Sequence, residues 1–249
     1  MERVNAVVHA AESDYLLHGL GMALHAIPQT ADIGGILSAD VMKRVYAQTF
    51  VKSVSTRPFY HAIKAVPAND ICPLCSQRTV STLDHYLPQS LHAALTIVPL
   101  NLVPACAECN KSKLARQPAA VADQSFHPYF DNFDDGQWLI AEVVIGDPAA
   151  VRFHVTAPEG WSAVKVQRAR NHFDVLKLGP LYASHAGVEL ANMRYSLERI
   201  AHSGTSHDVR AWLTDRAESA RQVALNSWQH AMLEALAASD WFCDGGFTD

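Results

Sequence analysis

The chain has 249 residues, a mass of 27.3 kDa and 49% hydrophobic residues, which is the composition of a globular protein with one large or two small domains. Its formal net charge of −5 excludes a protein that coats nucleic acid through bulk positive charge. No apolar run approaches the roughly 18 residues that span a bilayer, and no signal-peptide pattern opens the sequence. We therefore expect a cytoplasmic protein with no membrane partner.

The first predicted part, residues 1–66, is an N-terminal helical region. Apolar residues recur at helical spacing ahead of Pro28, which ends that segment. Ser38 is the predicted N-cap of a helix that runs to about Lys52. A shorter helix is predicted to open at Pro58.

The second predicted part, residues 67–120, contains four of the five cysteines, arranged in two CxxC pairs. Two thiolates from each pair would complete the tetrahedral sulfur shell that zinc favours, whereas a disulfide framework would scatter more cysteines through a smaller chain. Four protein ligands leave zinc no open position, so the ion would be structural. The alternative is a set of buried thiols without metal. The predicted zinc ligands are Cys72, Cys75, Cys106 and Cys109.

Polar motifs lie between and beside these cysteines. The sequence reads LDHYLP and then PLNLVP between the pairs, and the last pair opens the run CAECNKSK. Each motif alone has an ordinary structural explanation, because an Asp-His dipeptide is usually an exposed turn, an asparagine caps turns, and lysines cover solvated helices.

Together, the CxxC pair, the Asp-His-x-x-Pro core, the Asn-Leu-Val-Pro run and the CxxCNxxK ending resemble the HNH nuclease family, in its form with a four-cysteine structural zinc site. The resemblance covers about 45 of the 249 residues. It implies a treble-clef, ββα-metal module with strands at Leu83–Leu87 and Leu100–Val103. A helix would follow, carry Cys109 and end before Pro118.

The resemblance also assigns a role to each motif residue. His85 matches the general base, and Asp84 and Asn110 match the ligands of a catalytic divalent cation, Mg²⁺ or Mn²⁺. Many relatives carry histidine where Asn110 stands, and asparagine is a common alternative. Asn101 matches the middle asparagine, which steadies the loop and orients the base. Lys113 is the predicted nucleic-acid contact.

These residue types suit phosphodiester hydrolysis. A neutral imidazole with a pKa near the working pH can take a proton from the attacking water. A cation held by carboxylate and amide oxygens neutralises charge that develops on the phosphate and keeps positions open for substrate. Lys111 and Arg116 add local positive charge, and His127 is a candidate neighbour of the site. Cys243 receives no role.

The third predicted part, residues 121–249, combines a β-hairpin with several helices. It holds seventeen acidic and ten basic residues, whereas residues 71–120 hold two acidic and four basic ones, so positive charge is concentrated beside the cysteines. The predicted strands are Trp138–Ile145 and Val151–Val155, and the predicted helices are Ser162–Leu176, Leu181–His202 and His207–Ala238. The whole chain is thus predicted to be α+β and mainly helical.

The leading functional hypothesis is a metal-dependent endonuclease that cuts DNA, with RNA left open as a substrate. A bacterial restriction or phage-defence system, with a protein partner such as an ATPase on the C-terminal helices, is a further hypothesis by family analogy. The alternative is a catalytically silent, zinc-stabilised module that binds nucleic acid or a partner protein. Its acidic C-terminal part favours a protein interface, since it would repel DNA.

Overall fold

The computed structural model describes residues 2–113 and 117–248, and the chain divides into two compact units, Met1–Asp131 and Asn132–Asp249. The fold is α+β and mainly helical, as predicted, with three separate two-stranded antiparallel sheets among the described residues. The predicted boundary between residues 66 and 67 falls inside the first unit. None of the helices in the described parts of the chain is both long and apolar enough to cross a membrane.

The first unit opens with a long helix that packs on a small hydrophobic core. Helix α1 spans Glu2–Leu20 and places Val7 and Ala11 against a buried cluster that includes Ile33 and Met42. The first small sheet then pairs the two strands β1 (Asp32–Ile33) and β2 (Leu37–Ser38).

The helix predicted to run from Ser38 to Lys52 is divided. Ser38 caps it as predicted, because its side-chain oxygen accepts a hydrogen bond from the backbone N–H of Val41. Helix α2 ends at Arg44, however, and a π-helical turn follows over Val45–Phe50, in which the chain widens so that backbone bonds skip an extra residue. Helix α3 then covers Arg57–Lys64, with a proline in its first turn as predicted.

The cysteine-containing segment forms a hairpin followed by a short helix. Strand β3 (Thr82–His85) pairs antiparallel with strand β4 (Leu102–Ala105), and helix α4 follows at Ala107–Lys113. Both strands differ from the predicted ranges. The first ends two residues earlier, and the second starts two residues later because a 3₁₀ turn occupies Pro99–Asn101.

In its described part, residues 132–248, the second unit packs five helices with one β-hairpin. The two predicted strands form as β5 (Leu139–Val144) and β6 (Ala150–Val155), and β6 alternates buried and exposed side chains, so that Val151 and Phe153 enter the core. The helices are α5 (Ala163–Val175), α6 (Leu178–Ser203), α7 (Ser206–Val223), α8 (Trp228–Ala238) and α9 (Asp240–Cys243).

The predicted helical segment His207–Ala238 was wrong as a single element. It breaks between Val223 and Trp228, where Ser227 caps the next helix by accepting a hydrogen bond from the N–H of His230. The break also releases the side chain of Asn226, which bonds to the backbone ahead of the hairpin. Both residue types favour caps and turns over helix interiors.

A candidate metal centre and the adjoining cleft

Four buried cysteines form a cluster that could hold a metal ion such as zinc. The Sγ atoms of Cys72, Cys75, Cys106 and Cys109 all lie within 4.8 Å of one another. A tetrahedral zinc with Zn–S bonds of about 2.3 Å would place its sulfurs roughly 3.8 Å apart, so the cluster needs only a small contraction to fit that ion. The four predicted zinc ligands are therefore brought together.

Each cysteine pair is folded into a tight turn whose backbone donates to sulfur. The N–H of Arg78 points at Cys75 Sγ (3.5 Å), and the N–H of Cys109 points at Cys106 Sγ (3.4 Å). Such donors stabilise thiolates. Hydrogen bonds with Cys72 and Cys75, followed by burial, raise the pKa of Cys109. Because crowded thiolates repel one another, a divalent cation among them is what allows all the sulfurs to ionise together.

A cleft of about 340 Å³ opens beside this cluster, at the end of β3 and the middle of α4. Three of the residues assigned to the active site by resemblance line it, although they come from different motifs: Asp84, His85 and Asn110. The cleft is completed by Lys43, Pro88, Gln89 and Ser90.

His85, which closes β3, is buried apart from the edge that faces the cleft. Its Nε2 lies 2.9 Å from the carbonyl oxygen of Thr96 and, because a carbonyl only accepts, Nε2 carries the proton and donates. In the neutral ring Nδ1 is then the basic nitrogen. The ring also meets the ring of Tyr46 edge-on, with centroids 4.7 Å apart. Burial, opposed by the Thr96 hydrogen bond, lowers the pKa of His85 below its usual value, so the imidazole is neutral at pH 7.

Asp84 forms a buried ion pair with Lys113. The ammonium of Lys113 lies 2.8 Å from Asp84 Oδ2 and also donates to the carbonyl oxygens of His85 (2.8 Å) and Tyr86 (2.7 Å). Three acceptors satisfy all three N–H groups of the lysine. Lys113, the predicted nucleic-acid contact, therefore ties α4 to the end of β3 in this structure.

Oxygen donors for a hard cation are present in the cleft. Asp84 contributes a carboxylate and Asn110 an amide, which is the class of ligand that Mg²⁺ and Mn²⁺ prefer. Gln89 Oε1 is a further buried acceptor, without a hydrogen-bond partner among the described residues. An acceptor left without a partner is costly unless water or a cation meets it. The residues of the cleft thus fit a divalent cation.

Asn101 holds the loop that joins the two strands of the site. Its side-chain oxygen accepts from the N–H of Leu87 (2.7 Å), and its amide nitrogen donates to the carbonyl oxygens of Leu87 (3.1 Å) and Leu95 (3.2 Å). The side chain is fully buried. Since Thr96 follows Leu95 directly, Asn101 also fixes the carbonyl group that orients His85.

Sequence reasoning missed the contribution of the N-terminal helices to the cleft. Lys43 of α2 lines it, and Tyr46 of the π-helical turn packs on His85. Both residues belong to a part of the chain that carries no motif, so spacing alone offered no signal. Two packing contacts bring this segment to the site: α3 packs on β3 and β4, and α2 packs on the 3₁₀ turn at Ala93–Leu95.

Four further residues were considered from the sequence, namely His127, Lys111, Arg116 and Cys243. His127 is buried, 3.0 Å from the hydroxyl of Tyr15, and its ring packs on Tyr86, the residue after His85, at 4.3 Å between centroids. Lys111 is exposed on α4. Arg116 lies outside the described residues. Cys243 is buried in the second unit.

Comparison with known proteins places the chain near a phage protein. It is 27% identical over 236 residues to "Protein ea31" of Escherichia phage lambda, and the alignment covers 89% of this chain and 79% of the phage protein. No family model matches the sequence. No solved structure matches it either.

Proposed function

We propose that this protein is a metal-dependent endonuclease of the HNH type that hydrolyses phosphodiester bonds of DNA. The observation that carries the proposal is the convergence of Asp84, His85 and Asn110 on one cleft beside a buried four-cysteine cluster. These residues come from two motifs, one on β3 and one on α4. A base and two oxygen donors that meet in one cleft from separate motifs are the expected arrangement of an active site.

In this proposal His85 is the general base. Its Nε2–H is held by the Thr96 carbonyl, so Nδ1 takes the proton from a water molecule as the water oxygen attacks phosphorus. The bond from phosphorus to the 3′ oxygen breaks, which leaves a 5′ phosphate and a 3′ hydroxyl once the leaving oxygen has gained a proton from solvent. Asn101 acts through the loop it fixes, by keeping the Thr96 carbonyl in place.

Asp84 and Asn110 would hold Mg²⁺ or Mn²⁺. When bound, the cation would neutralise charge on the phosphate and on the departing oxygen. Zinc in the cysteine cluster would act only as a scaffold, because four sulfur ligands leave no position for substrate.

Plasmid cleavage tests the proposal. Zinc-loaded protein with Mg²⁺ or Mn²⁺ should nick or cut the plasmid, and His85→Ala should lower the rate by roughly 10² to 10⁴. Added imidazole should restore part of the lost activity, because it supplies the missing base. The matched control is His9→Ala, which removes an exposed histidine of α1 and should cleave like the wild type. Cleavage that survives His85→Ala would overturn the assignment.

One observation favours a second candidate, a catalytically silent binding module. The Lys113 ammonium already neutralises Asp84 at 2.8 Å, as it would in a site that no longer needs a cation. The two candidates differ in their response to metal. A silent module gains nothing from Mg²⁺, whereas the nuclease loses activity in EDTA or as Asp84→Ala while zinc is retained. A phage-defence role and an ATPase partner remain predictions from the resemblance alone.

A further inference from the structure

The charge of the N-terminal helical region is strongly segregated along the chain. Residues 41–69 contain five basic side chains and no acidic one, although residues 1–70 as a whole are neutral. The acidic residues of this region therefore lie before or after the segment. Its basic residues, here called the basic surface, are Lys43, Arg44, Lys52, Arg57 and Lys64.

The structure brings this segment next to the cleft. Helix α3 packs on both strands of the site, the π-helical turn packs on α3, and Lys43 at the end of α2 is part of the cleft wall. Tyr46, in the same turn, contacts the ring of His85. The segment that carries the basic surface thus begins at the cleft wall with Lys43 and continues through the π-helical turn into α3.

The charges of this segment are open to solvent and weakly neutralised. Arg44, Lys52 and Arg57 are exposed. Lys52 donates to the amide of Gln48, and Arg57 Nε donates to the ring nitrogen Nε2 of His61, so neither bond pairs the cation with a carboxylate. Among the described residues, Lys43 is the one basic side chain of this segment that meets a carboxylate, that of Asp40 at 3.0 Å, and this pair is solvent-exposed and therefore weak.

Aromatic side chains run through the same segment. The rings of Tyr46 and Phe50 stack at 5.7 Å, and Phe50 meets Tyr60 edge-on at 6.2 Å. Phe59 on α3 is 64% exposed, which is unusual for so large an apolar ring. Interleaved cations and aromatic rings are the arrangement that binds nucleic-acid strands, through phosphate contacts and base stacking.

We propose that the basic surface binds the sugar–phosphate backbone of the nucleic-acid substrate and leads it into the cleft. Lys43 contacts the phosphate that is to be cleaved, and Phe59 stacks on an unpaired base. The inference rests on the proposed nuclease function and adds a substrate-binding role to the N-terminal region. It also explains how a protein of net charge −5 can bind a polyanion, since the positive charge is local.

Binding of a labelled DNA strand and of its duplex, followed by fluorescence anisotropy in several salt concentrations without divalent cation, tests this inference. The double variant Lys52→Ala/Arg57→Ala should bind roughly tenfold more weakly. The slope of log Kd against log salt should fall by about 1.8 for duplex or about 1.4 for single strand, as expected for two lost phosphate contacts. Phe59→Ala should weaken single-strand binding roughly tenfold and leave duplex binding unchanged.

The matched control is Arg152→Ala/Arg199→Ala, which removes the same charge from exposed positions of the second unit and should bind like the wild type. Equal losses of DNA affinity in the two double variants would overturn the inference. Binding of polyglutamate, which stands for an acidic protein partner, as tightly as DNA would also overturn it. His85→Ala should bind DNA normally in the same assay. Normal binding with no cleavage by the wild type would therefore sink the proposed function, whereas cleavage with an inert basic surface would sink only this inference.

Discussion

The two units each fix a loop with a single asparagine but build their interiors differently. In the first unit, which also contains the cysteine cluster and a buried ion pair, Asn101 is fully buried. In the second unit, the oxygen of Asn226 accepts from the N–H groups of Trp138 (2.8 Å) and Leu139 (3.1 Å), and its nitrogen donates to the carbonyl oxygen of Phe133 (2.9 Å). The buried residues of the second unit are mostly apolar, and the polar ones in its described part are Arg168, His172 and His230.

The difference shows where polar burial is concentrated. Asp84, His85, His92, Thr96 and Asn101 are all buried within a short stretch of the first unit. Burying polar groups is costly, so a fold keeps such a concentration mainly where the groups are needed for a site or a metal. The second unit instead packs large apolar side chains of its helices on the hairpin, which stabilises a fold without implying chemistry.

The tryptophans offer a way to follow the two units separately. All five lie within residues 132–249, so intrinsic tryptophan fluorescence reports the second unit alone. Zinc release reports the first unit. Each substitution below can therefore be assigned to the unit it affects.

The largest effect is expected for the cysteine cluster. Cys109→Ser should abolish tight zinc binding and unfold the segment around β3 and β4, because a structural zinc contributes on the order of 10 kcal/mol to a small module. The urea transition of the tryptophans should not move. Metal analysis and hydrogen exchange measure the first change. Cys243→Ala is the control, since that buried thiol belongs to the second unit and its loss should leave zinc in place. Full zinc content in Cys109→Ser would contradict the claim that the cysteine cluster stabilises the first unit by binding zinc.

The two asparagines should separate stability from activity. Asn101→Ala leaves buried backbone groups of Leu87 and Leu95 without the partner that Asn101 provides, which should lower the free energy of unfolding of the first unit by about 3 kcal/mol. It should also reduce cleavage, because the loop that orients His85 is loosened. Asn226→Ala should cost the second unit about 2 kcal/mol and leave cleavage unchanged. Hydrogen exchange, urea unfolding and plasmid cleavage measure these effects. A loss of cleavage in Asn226→Ala at temperatures where it is folded would break the distinction.

A comparable but more local effect is expected for Lys113→Met. Removing the ammonium leaves the buried Asp84 carboxylate unpaired and two carbonyl groups without their donor, at a cost of about 3 kcal/mol in the first unit. Hydrogen exchange of β3 and α4 should show the loss. Lys111→Met, two residues earlier on the same helix and exposed, should show none. Equal exchange in the two variants would mean that the ion pair does not hold the site.

The smallest effect concerns pH. Burial lowers the pKa of His85, so the neutral base is retained below the usual histidine midpoint of about 6.5. As pH falls through the lowered pKa the imidazole gains a proton and cleavage should decline. The acid limb of a plot of kcat/KM against pH should therefore have its midpoint below 6.5. A midpoint above that value would show that His85 is not the base or is not buried in the active state.

The sequence supported some of these features better than others. The cysteine pairs and the hairpin of the second unit could be predicted because their signals are local, namely fixed spacing in one case and apolar runs around a Gly-Asp-Pro turn in the other. The break before Trp228 was missed because the apolar periodicity continues on both sides of it. The hydrogen bonds that hold Asn226 in a non-helical segment go to backbone groups far away in the sequence, so no local pattern indicates them. Lys113 was expected to face a phosphate, but nothing local indicates that Asp84, twenty-nine residues earlier, is within its reach.

Lys43 and Tyr46 show the same limit for the candidate site. Their places at the cleft depend on long-range packing without a motif, of α3 against β3 and β4 and of α2 against the turn at Ala93–Leu95. The widened π-helical turn that presents Tyr46 is likewise invisible to helix propensity.

The central claim is that the cleft holds one divalent cation between Asp84 and Asn110, next to His85 and apart from the zinc. Mn²⁺ binding to zinc-loaded protein, followed by electron paramagnetic resonance, tests it most directly. We predict one bound Mn²⁺ per chain, weakened at least tenfold in both Asp84→Asn and Asn110→Ala while zinc content stays unchanged. Absence of Mn²⁺ binding, or binding that neither substitution alters, would contradict the account.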